Sequence, residues 1–249
     1  MGESPDDGGA SGIDGRTLLV TGASSGIGRA TRDRLLRAGA RVIGVSRRRP
    51  AAVEAPEGFR WYRADLGSLD GLPEELTKIA RENPLIDGLV ANAGIGRFGS
   101  LEEQSPAQIR QLVDLNLTSQ ILLARIFLPL LKRSGRGDFL LVGSEAAVDA
   151  GRRGAVYSAT KFALRGFARA LRQECARSGV RISIVNPGMV RTPFFDDLGF
   201  EPGPDAHHAL RPEDVAAAIL QVLASPPGVV YDEIRLTPLK KSIHFKKRE

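Results

Sequence analysis

The sequence predicts an α/β domain: a seven-stranded, doubly wound parallel sheet with helices on both faces. Three observations carry this. Short apolar runs alternate with longer helical stretches along the chain, a glycine-rich turn joins the first run to the first helix, and no linker divides the 249 residues. A hydrophobic content of 42% supports one sizeable core.

Taken in order, Leu18-Leu19-Val20 centres a strand over 17–21. The turn 21–28 follows, and the spacing of Ala30, Leu35 and Leu36 gives a helix over 26–38. Further strands are read at 41–46, 60–64, 88–91, 138–143, 181–186 and 233–236, with helices at 69–81, 106–132, 155–178 and 212–223. Residues 1–12, rich in Gly, Ser and Asp without apolar period, read as a flexible tail, 13–239 as the domain, and 240–249 as a basic tail. The first twelve residues lack the basic start and apolar core of a signal peptide. The most apolar run, 121–131, is interrupted by Arg125 and Pro129 and falls short of the roughly 20 residues that span a bilayer. One cysteine, Cys175, excludes an internal disulfide and suits a reducing cytoplasm. His207 and His208 have no partnering Cys or regular His spacing, so no metal site is expected.

Two motifs carry chemistry. In Thr21-Gly22-Ala23-Ser24-Ser25-Gly26-Ile27-Gly28, Gly22 suits a tight turn, Gly26 lets backbone approach a pyrophosphate, and Gly28 lets helix pack closely on strand. Phosphate then meets the free N–H groups of the helix start. In Tyr157-Ser158-Ala159-Thr160-Lys161, residues four apart on a helix share a face, so the Lys161 ammonium lies near the Tyr157 phenol and favours its ionised form. A free phenol titrates at about 10 and needs such help near neutrality. Ser144, thirteen residues upstream, supplies a carbonyl-binding hydroxyl.

With these motifs the chain resembles the short-chain dehydrogenase/reductase family, in its single-domain branch, from about Arg16 to Leu239. The resemblance implies a Rossmann fold and a catalytic tetrad at Asn116, Ser144, Tyr157 and Lys161. The serine and tyrosine would hold the substrate carbonyl. Lys161 would hold the nicotinamide ribose and lower the tyrosine pKa, and Asn116 would anchor a proton-relaying water. It further implies cofactor contacts from Ser24, Ser25 and Ile27 in the turn, from Asp65 and Leu66 after the third strand, and from Asn92-Ala93-Gly94 after the fourth. Pro187-Gly188, Val190 and Thr192 would border the nicotinamide. Two departures stand out: Ala91 replaces the first Asn of the common Asn-Asn-Ala-Gly, and Tyr231 to Pro238 replaces the frequent Val-Asp-Gly-Gly. That ending resembles the subgroup of NADP-dependent 3-hydroxy acid and serine dehydrogenases.

The second strand ends Val45-Ser46-Arg47-Arg48-Arg49, with no acid between residues 41 and 49 to bond a ribose 2′-hydroxyl. A guanidinium pairs with phosphate through two parallel hydrogen bonds, so NADP is favoured over NAD, and the resemblance implies Arg47 as the main contact with Ser46 as a second donor. The expected function is hydride transfer between NADP and a carbonyl or secondary alcohol of a small molecule, such as a 3-oxo or 3-hydroxy acid. Two alternatives stand beside it: a 3-oxoacyl-carrier-protein reductase, and an NADP-binding redox sensor suggested by the net charge of +6 and the basic tail. Residues 188–211, with Pro193, Pro202, Gly203 and Pro204, read as a cover over the pocket, walled by Phe194, Phe195, Leu198 and Phe200. Arg152 and Arg153 are candidates to receive a carboxylate. The resemblance also implies a homodimer or homotetramer paired through the helices at 106–132 and 155–178, where Ile109, Leu112, Leu117, Phe127, Phe162, Phe167 and Leu171 are more apolar residues than one stripe requires. No nucleic-acid partner and no membrane span are expected, and the tail is expected to lie against a neighbouring subunit or near the pocket through Ile243 and Phe245.

Overall fold

The computed structural model describes residues 12–50 and 57–246. Strands β1 (Thr17–Thr21), β2 (Arg41–Ser46), β3 (Phe59–Arg63), β4 (Gly88–Ala91), β5 (Gly137–Val142), β6 (Val180–Pro187) and, later in the chain, β8 (Glu233–Leu236) form one sheet. Its order is β3-β2-β1-β4-β5-β6-β8, and every neighbouring pair is parallel. The chain winds outward from β1 to β3 and then restarts at β4 on the other side of β1. A crevice therefore opens between the carboxyl ends of β1 and β4. Strands β1, β4, β5 and β6 are buried along their whole length, which is why they read as continuous apolar runs.

Helices cover both faces. The helices α1 (Gly26–Arg37) and α6 (Pro212–Ala224) pack on one face, where Leu35, Val215 and Ile219 cluster with Leu18, Val20, Val42 and Val185 of the strands. On the other face lie α2 (Leu72–Glu82), α4 (Ser119–Arg133) and α5 (Ala155–Cys175), whose Leu76, Phe127 and Leu164 cluster with Leu19, Leu89, Phe139 and Ile182 of the strands, while α3 (Pro106–Val113) packs beside α5. The α2 helix shows how its sequence sets its face, since Leu72, Leu76 and Ile79 recur at helical spacing and are its buried residues. Ser105 caps α3 by accepting from Gln108 N, and Pro106 occupies the first helical position.

The helix expected over 106–132 is divided. A π-helical turn, Asp114–Thr118, joins α3 to α4 and carries Asn116. Together Pro106–Arg133 has the length and hydropathy of a span, contrary to the reading of 121–131 as the nearest such segment. It is instead a core element, with Leu112, Leu123, Phe127 and Leu131 fully buried. That burial also absorbs part of the apolar excess read as subunit interface: Leu112, Phe127 and Leu171 belong to the interior, while Ile121 and Phe162 stay exposed.

At the amino ends of the strands sits a buried charge network. Arg16 pairs with Asp87 at 2.8 Å and with Asp138 at 2.8 Å, and Arg181 grips Asp138 through two bonds of 2.7 and 2.9 Å. The remaining Arg181 donors reach Leu223 O, Ser225 O and Oγ, Pro226 O and Val229 O, tying the end of α6 to the sheet.

Both ends of the chain differ from expectation. Residues 1–11 lie outside the described residues, but Gly12 packs against Ala224 and Ile13 is fully buried, so the domain already includes residue 12. The described part of the basic tail, 240–246, is structured. Strand β9 (Ile243–Phe245) pairs antiparallel with β7 (Phe200–Pro202) of the cover segment. Around it, Gly203 N donates to Ser242 O, Lys240 N to His207 O, and Lys246 Nζ to Phe195 O at 2.6 Å and Asp196 O at 3.1 Å. The tail is a strap across the cover of its own subunit, although the Ile243 and Phe245 side chains remain largely exposed.

Candidate active site

The glycine turn opens the crevice. Gly22 and Gly26 have φ of +69° and +52°, conformations that favour glycine. A Cβ on Gly28 would collide with the Gly22 carbonyl and stand 2.6 Å from Asn92 Nδ2. Ser25 is the N-cap of α1 but makes no side-chain capping bond, and the first turn carries no acid. The helix start thus presents unsatisfied N–H groups and positive dipole to an anion. Thr21, which opens the turn motif, also holds the turn to β4: its buried hydroxyl accepts from Asn92 N at 2.9 Å and Ala93 N at 3.0 Å. Asn92 Nδ2 returns a bond to Thr21 O at 2.9 Å, so the Asn92 side chain braces the crevice wall. Gly94 is exposed where that wall ends, and a Cβ there would lie 3.1 Å from Asn116 Oδ1 and 3.8 Å from Lys161 Nζ.

Around the crevice mouth the other expected contacts divide. Arg47 is exposed at the end of β2. Ser46 is not free to be a second donor, because its buried hydroxyl donates to Arg48 O at 2.7 Å and accepts from Trp61 Nε1 at 2.9 Å. Asp65 is exposed after β3 and accepts from Gly67 N, while the Leu66 side chain is core. Pro187 ends β6, and Gly188 N donates to Leu236 O at 2.7 Å. Val190 bridges to Leu210, and the Thr192 side chain closes on Gly26, whose Cβ position is 3.3 Å away. Cover and turn therefore meet at Thr192 and Gly26.

The four tetrad residues converge at the carboxyl end of β5. Ser144 follows that strand, and its backbone N–H is held by Asn186 Oδ1 at 3.1 Å. Asn186 is fully buried and donates to Glu233 Oε1 at 2.9 Å, and Glu233 is gripped by Arg165 through bonds of 3.0 and 2.9 Å. This brace joins β5, β6, β8 and α5. Asn116 is locked to Ile95, accepting from its N–H and donating to its carbonyl, each at 2.9 Å. Lys161 Nζ donates to Val142 O at 3.3 Å and stands 5.7 Å from the Tyr157 ring centroid.

Electrostatics correct one expectation. Tyr157 and Lys161 are both buried, and burial pushes the phenol up to about 12, with the neighbouring Glu145 carboxylate adding to the rise and the Ser144 hydroxyl opposing it. Burial likewise pulls Lys161 down to about 8. Desolvation outweighs any activation by the ammonium, because both groups are out of water. The phenol is thus held as a proton donor at neutral pH, with a lysine close to its own titration.

Other expected residues stand apart. Arg153 pairs with Glu103 at 3.6 Å, and Arg152 is exposed. His207 and His208 form a short turn capped by Asp205, and no group of three metal-ligating side chains occurs among the described residues. Cys175 is buried, with its thiol raised by burial.

A glycine turn at the switch point, with Ser144, Tyr157, Lys161 and Asn116 gathered beside it, is an arrangement that a family comparison decides. The family model described as short chain dehydrogenase matches residues 16–201. The chain belongs to this family. Short-chain dehydrogenases bind NAD(P) and act on CH–OH and C=O groups, and the uncapped helix start and the glycine cradle fit such a dinucleotide. Sepiapterin reductase of Chlorobaculum tepidum is 32% identical over 242 residues, covering 91% of this chain and 97% of that protein. An NADP-dependent 3-hydroxy acid dehydrogenase of Schizosaccharomyces pombe is 30% identical over 242 residues, covering 91% and 93%. Among solved structures, an alcohol dehydrogenase of Thermococcus sibiricus complexed with 5-hydroxy-NADP superposes with a TM-score of 0.80 at 28% identity, covering 91% of this chain and 97% of that one.

Proposed function

We propose that this short-chain dehydrogenase is an NADP-dependent reductase of small carbonyl compounds, running in reverse as an alcohol dehydrogenase. The observation that carries the reading is the buried Tyr157 phenol, held protonated beside Ser144 and within one side chain of Lys161. Ser144 and Tyr157 orient the carbonyl oxygen, and Tyr157 passes its proton to that oxygen as negative charge develops there. When bound, the nicotinamide supplies the hydride. Lys161, which burial pulls down to about 8, would reload the phenol and would hold the nicotinamide ribose. Asn116, fixed on Ile95, holds the loop that carries Gly94 beside Lys161.

The choice of NADP rests on Arg47, exposed at the end of β2 with no acid on that strand. Ser46 is removed from this role by its own bonds. A 3-oxo or 3-hydroxy acid is supported by the yeast relative, but Arg153 is already paired with Glu103. Association into a homodimer or homotetramer is supported by the exposed Ile121 and Phe162 on α4 and α5. Turnover of a carbonyl panel with NADPH and with NADH, followed by absorbance, tests the reading. Arg47→Asp is expected to raise the KM for NADPH by roughly tenfold to a hundredfold, the loss of a charge-assisted hydrogen bond, and to leave the KM for NADH little changed. Wild-type preference for NADH would remove the NADP assignment.

A further inference from the structure

Four phenylalanines stand apart from both cores. Phe98, Phe194, Phe195 and Phe200 belong to neither apolar cluster on the sheet faces. They pack on one another and on Tyr157 instead. The Phe98 centroid is 5.1 Å from that of Tyr157 and 5.0 Å, edge-on, from that of Phe200, and the Phe194 centroid is 6.1 Å from Tyr157. Phe195 is buried and anchors the group, while the other three rings are part-exposed. The group is a separate apolar cluster under the cover segment, and Tyr157 is part of it.

The backbone is cut back to admit them. A Cβ on Gly96 would stand 2.8 Å from Phe194 Cε1 and 3.0 Å from Phe98 Cε2, and one on Gly154 would stand 3.1 Å from Phe98 Cε1. Charge beside the serine is balanced: the Glu145 carboxylate directly follows Ser144 and is paired with Lys241 at 2.7 Å, which leaves neither of these two ions free to hold a charged substrate.

We propose, resting on the carbonyl-reductase reading above, that the site takes an uncharged aryl ketone or aryl aldehyde, its ring lodged among Phe98, Phe194 and Phe200 and its carbonyl turned to Ser144 and Tyr157. Aromatic rings pack on one another offset or edge-on with a gain beyond their area alone. On reduction the carbonyl carbon accepts a hydride from NADPH, which becomes NADP⁺. The oxygen takes the Tyr157 proton, solvent replaces that proton, and the product is an aryl alcohol with its ring unchanged.

The test compares kcat/KM with NADPH for acetophenone, 4-acetylbenzoate and 2-butanone, in wild type, Phe98→Ala and Phe98→Leu. Acetophenone is expected to exceed both others by about tenfold or more. Both variants are expected to lower the acetophenone-to-butanone ratio, by roughly threefold to tenfold, with Phe98→Leu keeping the fold if the alanine variant does not. A higher kcat/KM for 4-acetylbenzoate overturns the proposal, and reversal of that preference by Arg97→Met would assign specificity to the cation between Gly96 and Phe98. An unchanged ratio in Phe98→Leu overturns it as well. If the carboxylate or the small ketone is turned over best and the activity requires Tyr157, the general reading survives and only the aryl class falls. If NADPH binds, by quenching of its fluorescence, yet no carbonyl is reduced, both fall.

Discussion

The two ends of the sheet both bury charged or ionisable side chains, and they treat them in opposite ways. At the amino ends, Arg16, Asp138 and Arg181 are nearly inaccessible and fully engaged, with Arg181 bonded to a carboxylate, a hydroxyl and several carbonyls. At the carboxyl ends, Tyr157 and Lys161 are just as buried but sparsely bonded, and Lys161 holds a single 3.3 Å bond to Val142 O. Burial costs a charge several kcal/mol unless partners replace water. Where the partners are present the result is fixed structure, and where they are withheld the cost appears as shifted proton affinity available to chemistry.

The comparison breaks most sharply at Tyr157. Tyr157→Phe is expected to lower kcat by about a hundredfold to ten-thousandfold without lowering the melting temperature, since the ring contacts remain. Near-normal turnover measured in the same preparation would remove the phenol from the mechanism. Arg181→Ala should do the reverse. Leaving Asp138 with Arg16 alone, and the carbonyls at the end of α6 without their donor, is expected to cost about 3–5 kcal/mol of stability in urea unfolding, with kcat per folded molecule changed only a few-fold. A large fall in kcat without loss of stability would show that the two ends are not separable.

A smaller effect tests the brace between them. Asn186→Ala leaves the Ser144 N–H without its 3.1 Å acceptor, and the expected result is roughly a tenfold fall in kcat with the KM for NADPH unchanged. Equal losses in kcat and cofactor affinity would instead indicate a general loosening of β6.

The smallest effect is a pH slope. Lys161 titrates at about 8 in the fold against an ordinary 10.5, so between these values the unfolded chain binds the proton and the folded one does not. Stability therefore rises with pH across this window and is lost again as pH falls through about 8. Lys161→Met is expected to flatten that rise in urea midpoints taken from pH 7.5 to 10. An unchanged slope would mean that the lysine is not desolvated as described.

How much of this was legible in the chain depended on distance along it. The glycine turn, Asn116, Ser144, Tyr157 and Lys161 were readable because their spacings repeat a known family pattern, and all seven strands of the large sheet were placed within one residue at their starts and ends. The brace of Arg165, Glu233 and Asn186 was not, because its members come from α5, β8 and β6 and carry no local signature. Phe98 gave no signal for the same reason, since only the fold sets it against Tyr157. The sense of the Tyr157 shift was misread because helical spacing reports which groups are neighbours and not how deeply they are buried. The pairing of β7 with β9 escaped notice because both strands are three residues long, polar in part and joined across the whole of α6.

That last pairing gives the site a weak point of a particular kind. The cover over the phenylalanines is fastened from outside by a segment that hangs from β8 through Leu239, which is 80% exposed. A cut there would leave the sheet, the glycine turn and Tyr157 untouched and would part the strap from β8, so that only its pairing with β7 and its bonds to the cover held it in place.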